Sequence, residues 1–219
     1  PHYAGPQSVM NFLITDCCDN QVKAIMSTDS PTQSAEQLLQ DTLTQYCNWS
    51  EYPDMKKLRE VLNQLSDEQK LNIQQKYSGL FTPLHCAAVR DHTDIISTLL
   101  TSLQSSANRL KLLMVDKHIA PLHSAALVSH TKSVKAILDC LTADQQIQLM
   151  SVQDYWGETA IQCAERGGDT VTARVLREYL HRACGESVII FNNKDKLAIY
   201  INIRLFQIND YGLCQFDHI

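Results

Sequence analysis

A seven-residue stretch that repeats at a fixed spacing limits the folds open to this chain more than any other feature. Residues 82–88 are T-P-L-H-C-A-A, residues 120–126 are A-P-L-H-S-A-A, and residues 159–165 are the looser copy T-A-I-Q-C-A-E. The copies therefore start 38 and then 39 residues apart. A fixed period of this size is typical of a stacked array, in which each unit buries its apolar face only against its neighbours.

Each copy predicts one helix followed by a second, antiparallel helix. Thr82 can cap the first helix through its hydroxyl, and Pro83 suits the first helical position because an N–H there has no helical partner. The small side chains of Ala87 and Ala88 let a neighbouring helix approach closely. After a polar turn, a second apolar helix carries leucines that keep a spacing of 38. These leucines are Leu100, Leu138 and Leu176.

The motif T-P-L-H-x-A, followed by a turn and an apolar helix, resembles the ankyrin repeat, whose usual period is about 33. The third copy adds the turn pattern Asp154-x-x-Gly157-x-Thr159 and a glycine, Gly168, at the family's inter-helix position. The resemblance covers residues 33–184. It implies an all-α fold, an α-solenoid of four ankyrin-like helix-turn-helix repeats. Residues 33–65 form the first repeat, which is degenerate and lacks the motif.

Four positions depart from the family pattern. Ala120 removes a capping hydroxyl, Asp91 and Ser129 stand where the inter-helix glycine belongs, and Gln162 replaces the motif histidine. The family uses that histidine to hydrogen-bond neighbouring backbone. The resemblance therefore implies a structural role for His85 and His123.

The residues beyond the usual period follow the second helix of each repeat. Ser66-x-x-Gln69 and Thr142-x-x-Gln145 have the pattern of a capping box and predict a short third helix. The middle copy, which starts near Ser106, is looser. We expect these connections to enlarge the fingers, the segments that join one repeat to the first helix of the next.

The two ends of the chain differ from the repeats. Residues 1–32 predict an irregular helical segment, with short helices between Val9 and Met26. Residues 185–219 have alternating apolar residues around an N-N-K-D turn at 192–195, which predicts a β-hairpin. An isolated hairpin is marginally stable in water, so this segment docks on the repeats, pairs with another chain or begins a further domain. Because the chain starts at Pro1, we expect it to be part of a longer protein.

Composition excludes several classes of function. The net charge of −5 gives no electrostatic footprint for nucleic acid. No apolar run reaches the ~18 residues that a membrane span needs, so we expect no membrane insertion and a cytoplasmic protein. Eight cysteines without a C-x-x-C pair are typical of buried thiols in a reducing compartment. None of the common catalytic or nucleotide-binding motifs occurs, and we expect no enzyme activity, no cofactor and no metal.

The resemblance implies a protein-interaction scaffold that binds a protein partner on its finger tips and first helices. We expect the contacts to come from aromatic and charged residues of the fingers. These are Tyr77, Phe81, Lys117, His118, Tyr155, Trp156 and Glu158. Two alternatives remain: a cytoplasmic ankyrin region of a channel of the transient receptor potential type, and the targeting module of an enzyme whose catalytic domain lies outside this chain.

Overall fold

The computed structural model describes residues 34–48, 52–77, 82–114 and 119–184, together with the backbone of strands between residues 189 and 216. The short helices predicted between Val9 and Met26 lie outside these described residues. Within the described part, the chain up to residue 184 is helical. Its helices are α1 Ala35–Cys47, α2 Met55–Asn63, α3 Asp67–Gln75, α4 Pro83–Val89, α5 Thr93–Thr101, α6 Ser106–Leu113, α7 Pro121–Leu127, α8 Thr131–Leu138, α9 Ala143–Ser151, α10 Ala160–Arg166 and α11 Thr170–Cys184.

These helices stack in three columns, one for each helix of the repeat. The first helices α1, α4, α7 and α10 pack in succession. In the second column α5 packs on α8 and α8 on α11, and in the third α3 packs on α6 and α6 on α9. The prediction of an all-α repeat solenoid is confirmed.

The apolar residues of the repeated motif form the centre of this stack. Leu84 and Leu122 are buried with 1% and 0% of their surface exposed. Ala87, Ala125 and Ala164 are also buried at 0%. Because these alanines have no side chain beyond Cβ, the first helices of successive repeats can lie close together. The motif is therefore a packing motif of the array.

The turn between the first and second helices requires a left-handed residue in three successive repeats. Asp91 has φ 56°, Ser129 has φ 64° and Gly168 has φ 76°. Only glycine adopts this conformation without steric cost, although aspartate tolerates it better than most residues. The alignment of Asp91 and Ser129 with the family's glycine is therefore confirmed in the backbone.

The extra residues of each period form the short third helices predicted from the capping boxes. Ser66 accepts a hydrogen bond from the Gln69 amide at 3.2 Å, and the Gln69 side chain accepts one from the Ser66 amide at 2.9 Å. Thr142 and Gln145 repeat this box in α9. Ser105, which precedes α6, makes no side-chain cap, in agreement with the looser middle copy.

After the helices, the described backbone forms a four-stranded antiparallel sheet in the order β1-β2-β3-β4. The predicted hairpin corresponds to β1 and β2, in which Asn193 lies opposite Lys196. The alternating run 197–208 is divided between β2 and β3, with Ile201 opposite Arg204. Asn202 lies between them in sequence, and asparagine favours turns. The strands are β1 Ile189–Asn193, β2 Lys196–Ile201, β3 Arg204–Ile208 and β4 Cys214–Phe216.

Candidate functional site

The finger before α10, residues 154–158, is a tight turn held by its first residue. The Asp154 carbonyl accepts a hydrogen bond from the Gly157 amide at 2.9 Å. Its carboxylate accepts from the amides of Trp156 and Glu158, both at 2.9 Å. Gly157 has φ 76°, which a side chain would disfavour. We call residues 154–158 the finger tip.

This turn exposes two neighbouring aromatic side chains. Tyr155 is 76% exposed and Trp156 is 58% exposed. Their ring centroids are 6.0 Å apart and the ring planes are perpendicular, the edge-to-face arrangement that aromatic pairs prefer. Large aromatic residues with this much exposed surface are the kind that dominate binding energy at protein interfaces.

An ion pair lies beside the aromatic residues. The Arg166 Nε donates to Glu158 Oε2 at 2.7 Å, and both side chains are about one-third exposed. The guanidinium carbon of Arg166 also lies 5.4 Å from the centroid of the Trp156 ring. This distance permits a cation–π interaction, which restrains the indole although the ring remains exposed.

Arg166 was not among the contact residues predicted from the sequence, and its contact with the finger tip was missed. Gln162 accepts from the Thr159 amide at 2.8 Å and so faces the start of α10. Arg166 lies four residues later on the same helix face. The four-residue spacing between Gln162 and Arg166 was the sequence feature from which the contact between Arg166 and Glu158 could have been predicted.

Among the residues that the structure describes, one group of potential metal ligands joins the finger tip to α10. Asp154, Glu158 and Cys163 place ligand atoms within 4.8 Å of one another. The Cys163 thiol donates to Asp154 Oδ2 at 3.5 Å. Burial, followed by the nearby charge of Asp154, raises the pKa of this thiol well above its usual range. The thiol is therefore protonated and acts as a donor that supports the turn.

The other predicted contact residues have different positions. Tyr77 is half-buried, and its hydroxyl donates to the Gln40 carbonyl and hydrogen-bonds the Thr44 hydroxyl, both at 2.9 Å. It therefore packs the end of α3 against α1. Phe81, Lys117 and His118 lie outside the described residues. Among the predicted residues that the structure describes, Tyr155, Trp156 and Glu158 are brought together.

Two of the first helices present little surface. Every residue from Pro83 to Ala88 in α4 and from Pro121 to Leu127 in α7 is buried. The finger tip therefore offers more contact surface than these two helices, although the sequence favoured both.

The motif histidines link successive repeats. The Nε2 of His85 lies 3.0 Å from the Ile119 carbonyl, and that of His123 lies 3.0 Å from the Val152 carbonyl. Each carbonyl belongs to the segment that leads into the following repeat. Since the Ala120 amide donates to His123 Nδ1 at 3.3 Å, the neutral ring carries its proton on Nε2. This geometry agrees with the structural role that the resemblance implies.

Comparison with known families supports the repeat assignment. A family model described as ankyrin repeats, in three copies, matches residues 54–149. The matched part of the chain, from α2 into α9, has the pattern of ankyrin repeats. Ankyrin repeats are generally protein–protein interaction modules. A comparison with curated proteins found no match.

In the part of the chain that the structure describes, no helix combines the length and the apolar character needed to cross a bilayer.

Proposed function

We propose that this ankyrin array is a non-catalytic scaffold that binds a protein partner through the finger tip at residues 154–158. The observation that supports this proposal is the exposure of Tyr155 and Trp156, at 76% and 58%, on a turn whose backbone is fixed. A folded chain gains little by exposing two aromatic rings, whereas an interface gains substantially by covering them.

The finger tip is preorganised for binding. Asp154 is 7% exposed and accepts two amide hydrogen bonds, so the turn does not need to be ordered when a partner arrives. The Trp156 ring is restrained from one side by Arg166. Preorganisation of this kind increases affinity because less conformational entropy is lost on association.

The chemistry of the tip indicates the kind of partner surface that fits it. Tyrosine and tryptophan present apolar rings and one polar hydrogen each, so a matching surface combines an apolar recess with hydrogen-bond acceptors. Glu158 and Arg166 neutralise each other and add no net charge to the tip. The proposed partner is therefore a protein whose surface has an apolar recess with hydrogen-bond acceptors, into which the two aromatic rings fit.

The state of the cysteines supports a cytoplasmic location of the protein, which we propose together with the binding function. The cysteines in the described part of the chain form no disulfide. Proteins of the cytosol keep their cysteines reduced, whereas secreted domains of modest size usually do not.

Site-directed photo-crosslinking tests the proposed surface directly. p-Benzoylphenylalanine replaces Tyr155 in one sample and Lys132, which is exposed on α8, in a matched control. Both proteins are irradiated in a cell extract, and the crosslinked products are identified by mass spectrometry. We expect a partner protein that is crosslinked from position 155 and absent from position 132. A partner captured only from position 132 would contradict the assignment of the finger tip.

A further inference from the structure

The two aromatic rings of the finger tip form an exposed corner. The Tyr155 and Trp156 rings are perpendicular, with their centroids 6.0 Å apart, so each ring is one wall of the corner. Trp156 remains 58% exposed although the guanidinium carbon of Arg166 lies 5.4 Å from its ring centroid. A ligand that fits this corner needs compact apolar groups, and it gains from an acceptor for the indole N–H.

The backbone of the finger tip is unsuited to pairing with an added strand or to capturing a carboxylate. The Asp154 amide donates to the Glu158 carbonyl at 2.8 Å, and the Gly157 amide donates to the Asp154 carbonyl at 2.9 Å. An added strand needs an extended edge, whereas this backbone is a closed turn. Capture of a carboxylate needs free amides, whereas the amides of Trp156 and Glu158 already bind the Asp154 side chain.

The surroundings of the corner also disfavour an amphipathic helix and an acidic motif as its ligand. A helix docks in an apolar groove, but residues 121–127 of α7, the first helix that packs on α10, are buried and offer little surface for one. Acidic and phosphorylated motifs are recognised by clusters of arginines. Arg166 is paired with Glu158 at 2.7 Å. The tip therefore suits an uncharged ligand.

A polyproline II helix has the properties that this corner needs. Its proline rings are compact and apolar, and its backbone carbonyls have no partners within the helix. Trp156 offers these carbonyls the N–H of an exposed indole ring. Because the polyproline II conformation forms before binding, such a segment loses little conformational entropy on an aromatic surface.

On the basis of the binding role proposed for the finger tip, we propose that its ligand is a proline-rich segment of the partner protein in the polyproline II conformation. Tyr155 and Trp156 pack on one proline ring and enter the recess between it and the next. The indole N–H of Trp156 donates to a carbonyl of the segment. The hydrogen bonds to Asp154 and the contact with Arg166 hold the corner in shape before the segment arrives.

Titration with decaproline, acetylated at its N-terminus and amidated at its C-terminus, tests this proposal. The chain has two tryptophans, Trp49 and Trp156, and the variant Trp49→Phe assigns the remaining indole resonance in a nitrogen–proton correlation spectrum. We expect decaproline to shift the Trp156 indole resonance to saturation at millimolar concentration or below. The control is a decapeptide of alternating glycine and serine, which is flexible and has no proline ring, and it should cause no saturable shift.

Tyr155→Ala removes one wall of the corner and keeps the indole resonance as the readout. We expect its affinity for decaproline to fall about tenfold or more. Lys132→Ala with Lys135→Ala, on the exposed face of α8, is the matched control and should bind decaproline as the parent does. Equal affinity of Tyr155→Ala and the parent would overturn the proposal. So would the lack of any saturable shift with decaproline, or the same shift with the glycine–serine peptide.

The crosslinking experiment from position 155 distinguishes a wrong ligand class from a wrong binding surface. A partner crosslinked there through a proline-rich segment supports both the surface and the ligand class. A partner crosslinked through a segment without proline, together with no response to decaproline, would overturn the ligand class and leave the finger tip as a binding surface. The lack of both a crosslinked partner and a response to decaproline would overturn both proposals.

Discussion

Asp91 caps a helix of the next repeat through Ser133. Its carboxylate accepts hydrogen bonds from the Ser133 amide at 3.1 Å and from the Ser133 hydroxyl at 2.8 Å. The residue before α8, His130, makes no side-chain cap of its own. The aspartate that replaces a glycine in the turn therefore supplies a cap across the repeat boundary, which explains how a left-handed aspartate is tolerated there.

Replacing Asp91 by alanine should destabilise the array by about 2 kcal/mol. About half of this loss comes from the missing cap and the rest from an alanine in the left-handed region. Asp91→Asn keeps an acceptor oxygen and tolerates the same conformation, so we expect a smaller loss. Urea denaturation followed by circular dichroism measures both. The double variant Asp91→Ala/Ser133→Ala completes the test. If its loss in free energy of unfolding equals the sum of the two single losses, the two residues do not interact as described.

Leu122 tests whether the repeats depend on one another. Leu122→Ala should cost about 2–5 kcal/mol, because the side chain is 0% exposed and its removal leaves a cavity. Since each repeat is stable only through its neighbours, hydrogen exchange should accelerate in α4 and α10 as well as in α7 and α8. Faster exchange confined to α7 and α8 would be incompatible with a stacked array.

The repeating part of the fold could be predicted from sequence because its signals are local. Ser66 and Gln69 form their capping box within one helical turn, and the left-handed conformation of Ser129 followed from its alignment with Gly168. The division of residues 197–208 into β2 and β3 was missed, since the alternation of apolar residues continues through Asn202.

Contacts between repeats could not be predicted, because the residues that make them show no local sequence pattern. Asp67 accepts from the amides of Gln104 and Ser105 and from the side chain of Asn108, residues that lie 37, 38 and 41 positions away in the sequence. At the finger tip, the exposure of Tyr155 and Trp156 was predicted from the turn, but the approach of Arg166 required the packed helix.

Stability should fall as the pH is lowered from about 6.5. Burial is the main cause that lowers the pKa of His123 below its usual value of 6.5, and it also lowers that of His92. In this range the unfolded chain binds more protons than the folded chain, so acid favours unfolding, by at most about 1.4 kcal/mol per group and pH unit. Asp67 and Asp169 have pKa values below their usual 3.8. Their contributions to the free energy of unfolding are therefore lost only below about pH 3.8.

His123→Gln provides the control for this pH dependence. Gln162 occupies the equivalent position of α10 and accepts from the Thr159 amide, so glutamine suits the site. We expect a shallower fall in melting temperature between pH 7 and pH 5 in the variant, with His92 supplying the remainder. An unchanged slope would show that His123 does not contribute to it.

Zinc should leave the melting temperature unchanged. Cys163 would have to lose its proton to bind zinc, and burial and two carboxylates oppose that loss. Glu158 would also have to leave Arg166. Thermal melts with one equivalent of zinc and with a chelator measure this. A rise of several degrees that disappears in Cys163→Ala would identify a metal site under the finger tip.

The finger tip itself is tested by a paired substitution. Tyr155→Ala together with Trp156→Ala should weaken partner binding about tenfold or more, since truncation of such residues commonly costs about 2 kcal/mol. Both side chains are exposed, so the fold should lose little beyond the contact with Arg166. Lys132→Ala with Lys135→Ala, on the exposed face of α8, is the matched control and should bind as the parent does.

Binding isotherms for the parent and both double variants, against the protein identified by crosslinking, decide this prediction. Circular dichroism of each variant is the folding control. Equal affinity of the finger-tip variant and the parent would remove residues 154–158 from the binding surface. A loss of helical signal in that variant would show instead that Trp156 is needed to hold Arg166 and α10 in place. A loss of affinity at unchanged helical signal, absent from the lysine variant, is the result we expect.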